Sequence, residues 1–199
     1  GYGLIFRAFY AIQAPMSTSS GEPTNAVYGV ASMLFNILNN QRPDYAVMAL
    51  ESGRTFRHDH FEEYKGTRGE MPQELRVQTE RIYQLIQALD ILMVSKELYE
   101  ADDVIGTLSK EMANDGFEVI VLTGDTDLLQ LAGDHITVYL PGVKRFDDFR
   151  RYDTEAVIER YSFAPEYIPD YKALAGDTSD NIPAAPVIGA KTDKALIDY

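Results

Sequence analysis

The run Val119-Ile120-Val121-Leu122 constrains this chain more than any other segment. Four consecutive apolar residues, three of them β-branched, leave no polar face, so the segment predicts a central strand covered on both sides. The run stops at Thr123-Gly124-Asp125-Thr126-Asp127, where a glycine turns the chain and two carboxylates follow. Such a strand needs helices above and below it, and the neighbouring sequence supplies them. Apolar residues recur at helical spacing from Asn25 to Leu38, behind Thr24 as N-cap, and again from Glu74 to Leu89. The clearest helix runs from Ala101 to Met112, with Val104, Ile105, Leu108 and Met112 on one face and Asn114-Asp115-Gly116 ending it.

Further strands are predicted at Tyr45 to Leu50, Ile91 to Val94 and Ile136 to Leu140. Leu128 to Leu131 predicts a short helix, and Asp153 to Tyr161 and Ala164 to Leu174 two longer ones. Gly1 to Phe6 reads as the tail of a strand or the turn after one. Gly53 to Pro72 mixes both charge signs without a core face and reads as a long exposed loop or a weakly held helix. The alternation predicts an α/β fold with a central, mostly parallel sheet flanked by helices.

At 199 residues the chain can bury one core with an appended subdomain. With 45% hydrophobic residues it is not a disordered composition. No cysteine is present, which excludes disulfides and thiolate metal sites. No apolar run reaches membrane-spanning length and no signal peptide is visible. The formal net charge of −13 runs against the positive footprint of a nucleic-acid binder and on its own describes a solubility surface. Distribution matters more than the sum: Arg54, Arg57, His58, Lys65 and Arg68 gather in one stretch, away from the acidic clusters. The first residues and Leu196 to Tyr199 both read as elements in progress, so the expectation is a piece of a longer chain.

Seven carboxylates fall in three groups: Glu100, Asp102 and Asp103; Asp125 and Asp127; Asp177 and Asp180. Each group has a plain explanation. Acids in the first turn of a helix are favoured by its dipole, an aspartate caps the helix near Leu128, and Gly176 to Pro183 is a polar turn. Taken together they point instead to one site for hard divalent cations, Mg²⁺ or Mn²⁺, which oxygen ligands suit and which would relieve the mutual repulsion.

Several stretches then fall into a recognisable order: Phe6 to Ala11, Thr55-Phe56-Arg57-His58, Tyr64 to Arg68, Tyr99 to Leu108, Leu122 to Leu131, Tyr171 to Pro183 and Ile188 to Thr192. Over nearly the whole chain this set resembles the 5′-nuclease family, the 5′→3′ exonuclease domain of bacterial DNA polymerase I and the related flap endonucleases. The resemblance implies a PIN-like nuclease core over residues 1–162, with a helical arch at about 53–72. A helical DNA-binding region follows over 163–199, with the start of a helix–hairpin–helix. It implies two-metal hydrolysis of DNA phosphodiesters at 5′ flaps or 5′ ends in replication and repair, in the cytoplasm at the nucleoid, with a polymerase region further along the parent chain and no membrane partner.

By the same resemblance Glu100, Asp102, Asp103 and Asp125 serve the first ion, and Asp127, Asp177 and Asp180 the second. Lys65 contacts the reacting phosphate and Arg68 steers the strand; on residues alone, both also read as a solvated surface beside Glu62 and Glu63. Arg7 contacts phosphate or pairs with a carboxylate. Gly189, Lys191 and Thr192 grip duplex backbone in the hairpin, where the family often holds K⁺.

Three departures stand out. The family's aspartate before Gly1 is absent. Leu50 occupies another usual aspartate position, with Glu51 one residue off and pointed to the other face by strand alternation. Ala184, Ala185 and Val187 stand where the family has small or glycine-rich turns, and alanine at positive φ is costly. These departures imply reduced nuclease activity for this piece. Other readings are a DNA-binding domain that has lost catalysis and positions DNA for a polymerase, a small PIN-type ribonuclease, or a phosphatase.

Overall fold

A computed structural model describes residues 1–12, 14–142 and 148–185. The chain opens with a helix, α1 (Tyr2–Ala11), rather than the end of a strand. Leu4, Ile5 and Ala8 share one face of it and are buried, a helical period that the short Gly1–Phe6 window conceals. α2 (Asn25–Gln41) lies against α1 so closely at Gly29 that an added Cβ there would come 2.7 Å from the Ala8 Cβ. β1 (Val47–Ala49), α3 (Phe56–His60), α4 (Gln73–Ala88) and β2 (Leu92–Val94) follow.

Next come α5 (Ala101–Asn114), β3 (Val119–Leu122), a 3₁₀ turn (Asp127–Leu131), β4 (Ile136–Pro141) and β5 (Phe149–Tyr152). The described part ends with α6 (Thr154–Tyr161), a second 3₁₀ turn (Pro165–Tyr167) and α7 (Ile168–Ala175). The single helix expected over Ala164 to Leu174 is thus two pieces, with Pro169 in the first turn of the second, where its missing N–H costs nothing.

The sheet is mostly parallel, as expected. Among the described residues its hydrogen-bonded ladder falls into two parts. β1 pairs in parallel with β2, Val47 opposite Leu92, while β3 pairs in parallel with β4, Val119 opposite Ile136. β5 is antiparallel to β4, Val138 opposite Tyr152. β3 is therefore an edge of its three-stranded part, not the central strand its composition suggests. Ile120 is 37% exposed, and β4, with Val138 fully buried, is the middle strand. β5 carries two arginines between Phe149 and Tyr152 and gives no apolar run to read.

Two cores result. Ile5, Ala8, Val30, Met33, Met48, Leu75, Ile82 and Ile86 join α1, α2, α4 and β1. Val121, Leu129, Val138, Tyr152, Val157 and Ile168 join the second sheet part to its helices. Each fully buried Ile or Val contributes about 1.5–3 kcal/mol relative to exposure.

The beginning of α1 touches both sheet parts. Gly1 lies against the Ala49 carbonyl, 2.5 Å from where a Cβ would sit, and Gly3 backs on Gly124 after β3. The Gly53 to Pro72 stretch is not a bare loop. It contains α3 and is pinned by buried Thr55, bridged to Leu98, and by buried Tyr64. No described helix is long and apolar enough to cross a membrane.

Candidate metal centre

The carboxylates collect beyond the C-terminal ends of the parallel strands, where open α/β sheets hold their ligands. Glu100 is the N-cap of α5, so Asp102 and Asp103 lie in the first turn, on the positive end of the helix dipole. Asp103 Oδ2 accepts the Glu100 N–H at 2.9 Å. After β3 the chain turns through Gly124. The Asp125 N–H donates to Thr123 Oγ1 (3.1 Å), and the Asp127 N–H donates to Asp125 Oδ1 (2.9 Å). After α7, Gly176 has a left-handed φ of 71°, and a Cβ on it would collide with Ala184 N at 2.4 Å. Glycine is thus required there. Asp177 then closes a tight turn, its Oδ1 accepting from Ser179 N, Ser179 Oγ and Asp180 N.

The seven acids divide by partner. Asp102 is repelled by Asp125 and Glu51, and Asp127 by Asp125 and Asp177. Burial first, then these two neighbours, push the Asp102 carboxyl up to about 6. Burial likewise raises Asp127, although Lys172 opposes it. Four of the others, Glu100, Asp103, Asp177 and Asp180, turn to cations. Arg57 donates to both oxygens of Asp103 (2.7 and 2.8 Å), which holds that carboxyl below its ordinary pKa. Glu100, 5% exposed, accepts from Lys65 Nζ at 2.7 Å and Tyr64 Oη at 3.2 Å. Asp180 accepts from Arg68 Nη2 at 2.7 Å and Tyr64 Oη at 2.9 Å. Burial, then the Glu100 and Asp180 charges, raise the Tyr64 pKa and keep its hydroxyl a donor.

Lys172 Nζ sits 2.8 Å from both Asp127 Oδ1 and Asp177 Oδ2. Burial works against its ammonium, but the two aspartates outweigh it and raise its pKa. Burial also opposes ionisation of Asp177, yet bonds from Lys172 and Ser179 bring its pKa down to about 2.

Among the described residues no three carboxylates or histidines converge tightly enough to grasp a cation. The expected ligands are neighbours, and most of them are engaged by arginine or lysine partners. The donor set nevertheless suits a hard cation, being all oxygen. Asp127 Oδ1 is buried without a hydrogen bond, its contact with Lys172 being an ion pair of poor hydrogen-bond geometry.

Glu51 lies with the site, contrary to the alternation argument. β1 ends at Ala49, so the strand period no longer applies. The Glu51 carboxylate accepts the Ala101 N–H at 3.2 Å and its charge acts on Asp102. Arg7 does not pair with a carboxylate: Nη2 donates to the Pro141 and Gly142 carbonyls, at 2.7 and 2.8 Å, and so secures the end of β4.

The basic stretch folds down onto the acids. The Lys65 N–H donates to the Asp180 carbonyl, Asn181 Nδ2 to the Glu63 carbonyl and Arg68 Nε to the Ser179 carbonyl. Lys65 adopts a left-handed backbone (φ 55°), a strain of about 1–2 kcal/mol for a side-chain-bearing residue. Gly189, Lys191, Thr192 and Val187, with the hairpin and its K⁺ site, lie outside the described residues. Ala184 and Ala185 do not adopt positive φ, so the cost expected for them does not arise.

A family model described as the 5′-3′ exonuclease, N-terminal resolvase-like domain matches residues 1–162. DNA polymerase I of Chloroflexus aurantiacus is 47% identical over 202 residues, and that of Bacillus subtilis 46% identical over 198. Each match covers 99% of this chain but only 21% and 22% of the relative, so the chain spans about a fifth of their length. Among solved structures, the T5 5′-exonuclease with bound zinc shares the fold with a TM-score of 0.75 at 21% identity, over 100% of this chain and 72% of that one. A T5 flap endonuclease in a complex with DNA and metal ions gives 0.74 at 20% identity, over the same shares. With an α/β core that gathers its acids at the strand ends and a family match over residues 1–162, the chain belongs to the 5′-3′ exonuclease N-terminal domain family.

Proposed function

We propose that this chain hydrolyses DNA phosphodiesters at 5′ flaps or 5′ ends with two divalent ions, Mg²⁺ or Mn²⁺, as part of a longer DNA polymerase I-like protein. The observation that supports this most is the run Glu51, Asp102, Asp125, Asp127, Asp177, in which successive carboxylates repel one another across the strand ends. Such an arrangement costs stability without a cation and gains from one. Glu100, Asp102, Asp103 and Asp125, with Glu51, would hold one ion; Asp127, Asp177 and Asp180 would hold the other. When bound, the ions supply charge that offsets the phosphate and lowers the pKa of water.

The chain's own side chains do the rest. Lys65, only 16% exposed at its side chain, is fixed by Glu100 at the inner edge of the site and can pass its ammonium to a phosphate oxygen. Arg68, 53% exposed at its side chain, faces outward and suits a passing strand. Tyr64 orients Glu100 and Asp180 through one hydroxyl. Arg7 shapes the β4 end of the cleft. These local cations let a chain of net charge −13 meet DNA.

In this reading residues 1–162 are the nuclease core and 163–199 its DNA-binding helical part. Gly189, Lys191 and Thr192 grip duplex backbone with K⁺, and the protein works in replication and repair at the nucleoid.

Incubation with 5′-flap, single-stranded and blunt duplex DNA in Mg²⁺, with Asp177→Asn as control, tests the proposal. Flap-selective cutting that the variant loses supports it. Binding without cutting would sink it in favour of a domain that only positions DNA, a reading that Leu50 at the usual acid position favours.

A further inference from the structure

We propose that Lys172 is the resident counter-cation of the Asp127–Asp177 pair and sets how tightly that side of the site takes a divalent ion. The proposal rests on the metal-dependent reading above and extends it to a residue that reading does not use. Asp127 opens the 3₁₀ turn after β3, and Asp177 belongs to the turn after α7. A cation between two carboxylates from separate elements offsets their mutual repulsion. Lys172, reaching over from α7, is that cation, 2.8 Å from an oxygen of each.

The oxygens it faces are the ones with no other donor. Asp177 Oδ1 is saturated by Ser179 N, Ser179 Oγ and Asp180 N, which leaves Oδ2 for Lys172 alone. Asp127 Oδ1 is buried and has no hydrogen bond, only the ammonium beside it. An ion entering between the two aspartates meets an ammonium on both oxygens it needs. Binding is then an exchange of cations rather than an addition.

The side chain is built for such an exchange. Its charge sits on a flexible four-carbon stem that is 28% exposed, so the ammonium can swing to solvent without moving α7. Arg57 and Arg68, by contrast, hold Asp103 and Asp180 outside the repelling run. Lys172 thus keeps the pair assembled in the metal-free protein and is displaced on loading.

The test uses Mn²⁺ as probe, counted by electron paramagnetic resonance of the free ion, with thermal unfolding followed in chelator and in saturating Mn²⁺. Lys172→Gln should lower the unfolding midpoint in chelator and bind Mn²⁺ about tenfold more tightly, since the competing charge is gone. Lys172→Arg, which keeps the charge, should bind Mn²⁺ no more tightly than the unmodified chain. Unchanged or weaker binding by Lys172→Gln, or tighter binding by Lys172→Arg, would overturn the proposal. The double variant Asp127→Asn/Asp177→Asn separates this failure from that of the underlying reading. If it binds as many ions as the unmodified chain, the reading and the proposal both fall. If it binds fewer while Lys172→Gln is no tighter, only the proposal falls.

Discussion

Replacing Gln78 with Met should cost about 3 kcal/mol, although the side chain touches no part of the acidic site. Gln78 projects from α4 and is fully buried. Its Oε1 accepts the Ala26 N–H at 2.7 Å and the Val27 N–H at 3.3 Å, two of the first-turn donors that α2 cannot satisfy itself. Its Nε2 donates to Asn25 Oδ1 (2.9 Å) and the Glu74 carbonyl (3.3 Å). Asn25 in turn donates to the Phe9 and Ile12 carbonyls at the end of α1. Methionine fills the space with nothing to accept, so two N–H groups lose their partner at roughly 1–3 kcal/mol each, offset in part by removing a buried amide. Urea unfolding should show a lower midpoint at unchanged slope, and the melting temperature should fall by about 6–12 °C for a chain of this length. Amide exchange at Ala26 and Val27 should accelerate most. A loss below about 1 kcal/mol at unchanged slope would refute the capping role.

Three further outcomes are expected. Gly29→Ala gains about 1 kcal/mol of helix propensity but forces α1 and α2 apart, because the new Cβ meets Ala8 at 2.7 Å. A net loss of about 1 kcal/mol is expected, with recovery in Gly29→Ala/Ala8→Gly, read by urea titration. Lys65→Met removes the nearest cation from buried Glu100, which keeps Tyr64 and, 3.9 Å away, Arg57, and should cost about 1–3 kcal/mol in chelator, whereas Lys65→Met/Glu100→Gln should recover most of it. For Asp102, the folded carboxyl titrates near 6 against an ordinary 3.8, so the folded chain holds an extra proton between those values. Stability therefore falls as pH rises through that window. Asp102→Asn should be about 2–3 kcal/mol more stable than the unmodified chain at pH near 8 in chelator, with the gap closing toward pH near 4 and reversing in saturating Mn²⁺.

What could be read from residues alone follows from how local each signal is. The helical spacing of Val104, Ile105 and Leu108 locates α5, and its acidic opening at Glu100 to Asp103 lies where expected, but the fully buried positions are Ala101 and Ser109, those three are half-buried and Met112 is exposed. The turn after β3 is equally plain, since Gly124, Asp125 and Asp127 follow the apolar run directly. α1 was hidden because its buried face, Leu4, Ile5 and Ala8, needs a longer window than Gly1 to Phe6. β3 looked central because apolar content reports water exclusion, not how many strands are paired beside it. Glu51 joins the site through an element far from the other acids in the chain, and Lys172, though only five residues before Asp177, also meets Asp127 from a distant turn, which no spacing rule links. Gln78 did leave a trace: with Thr79 it stands between Leu75 and Ile82 on the buried stripe of α4, where an apolar residue is the rule.

The divided ladder has a mechanical consequence. No strand-to-strand hydrogen bond ties β1 and β2 to β3, β4 and β5 among the described residues, so the two halves are joined by the start of α1, by α5 and by side chains. The acids straddle that seam: Glu51 extends from one half, Asp125 and Asp127 from the other, and Asp102 from the helix that spans both. A cation drawn in by its ligands would act as a rivet across the joint, stiffening it in shear.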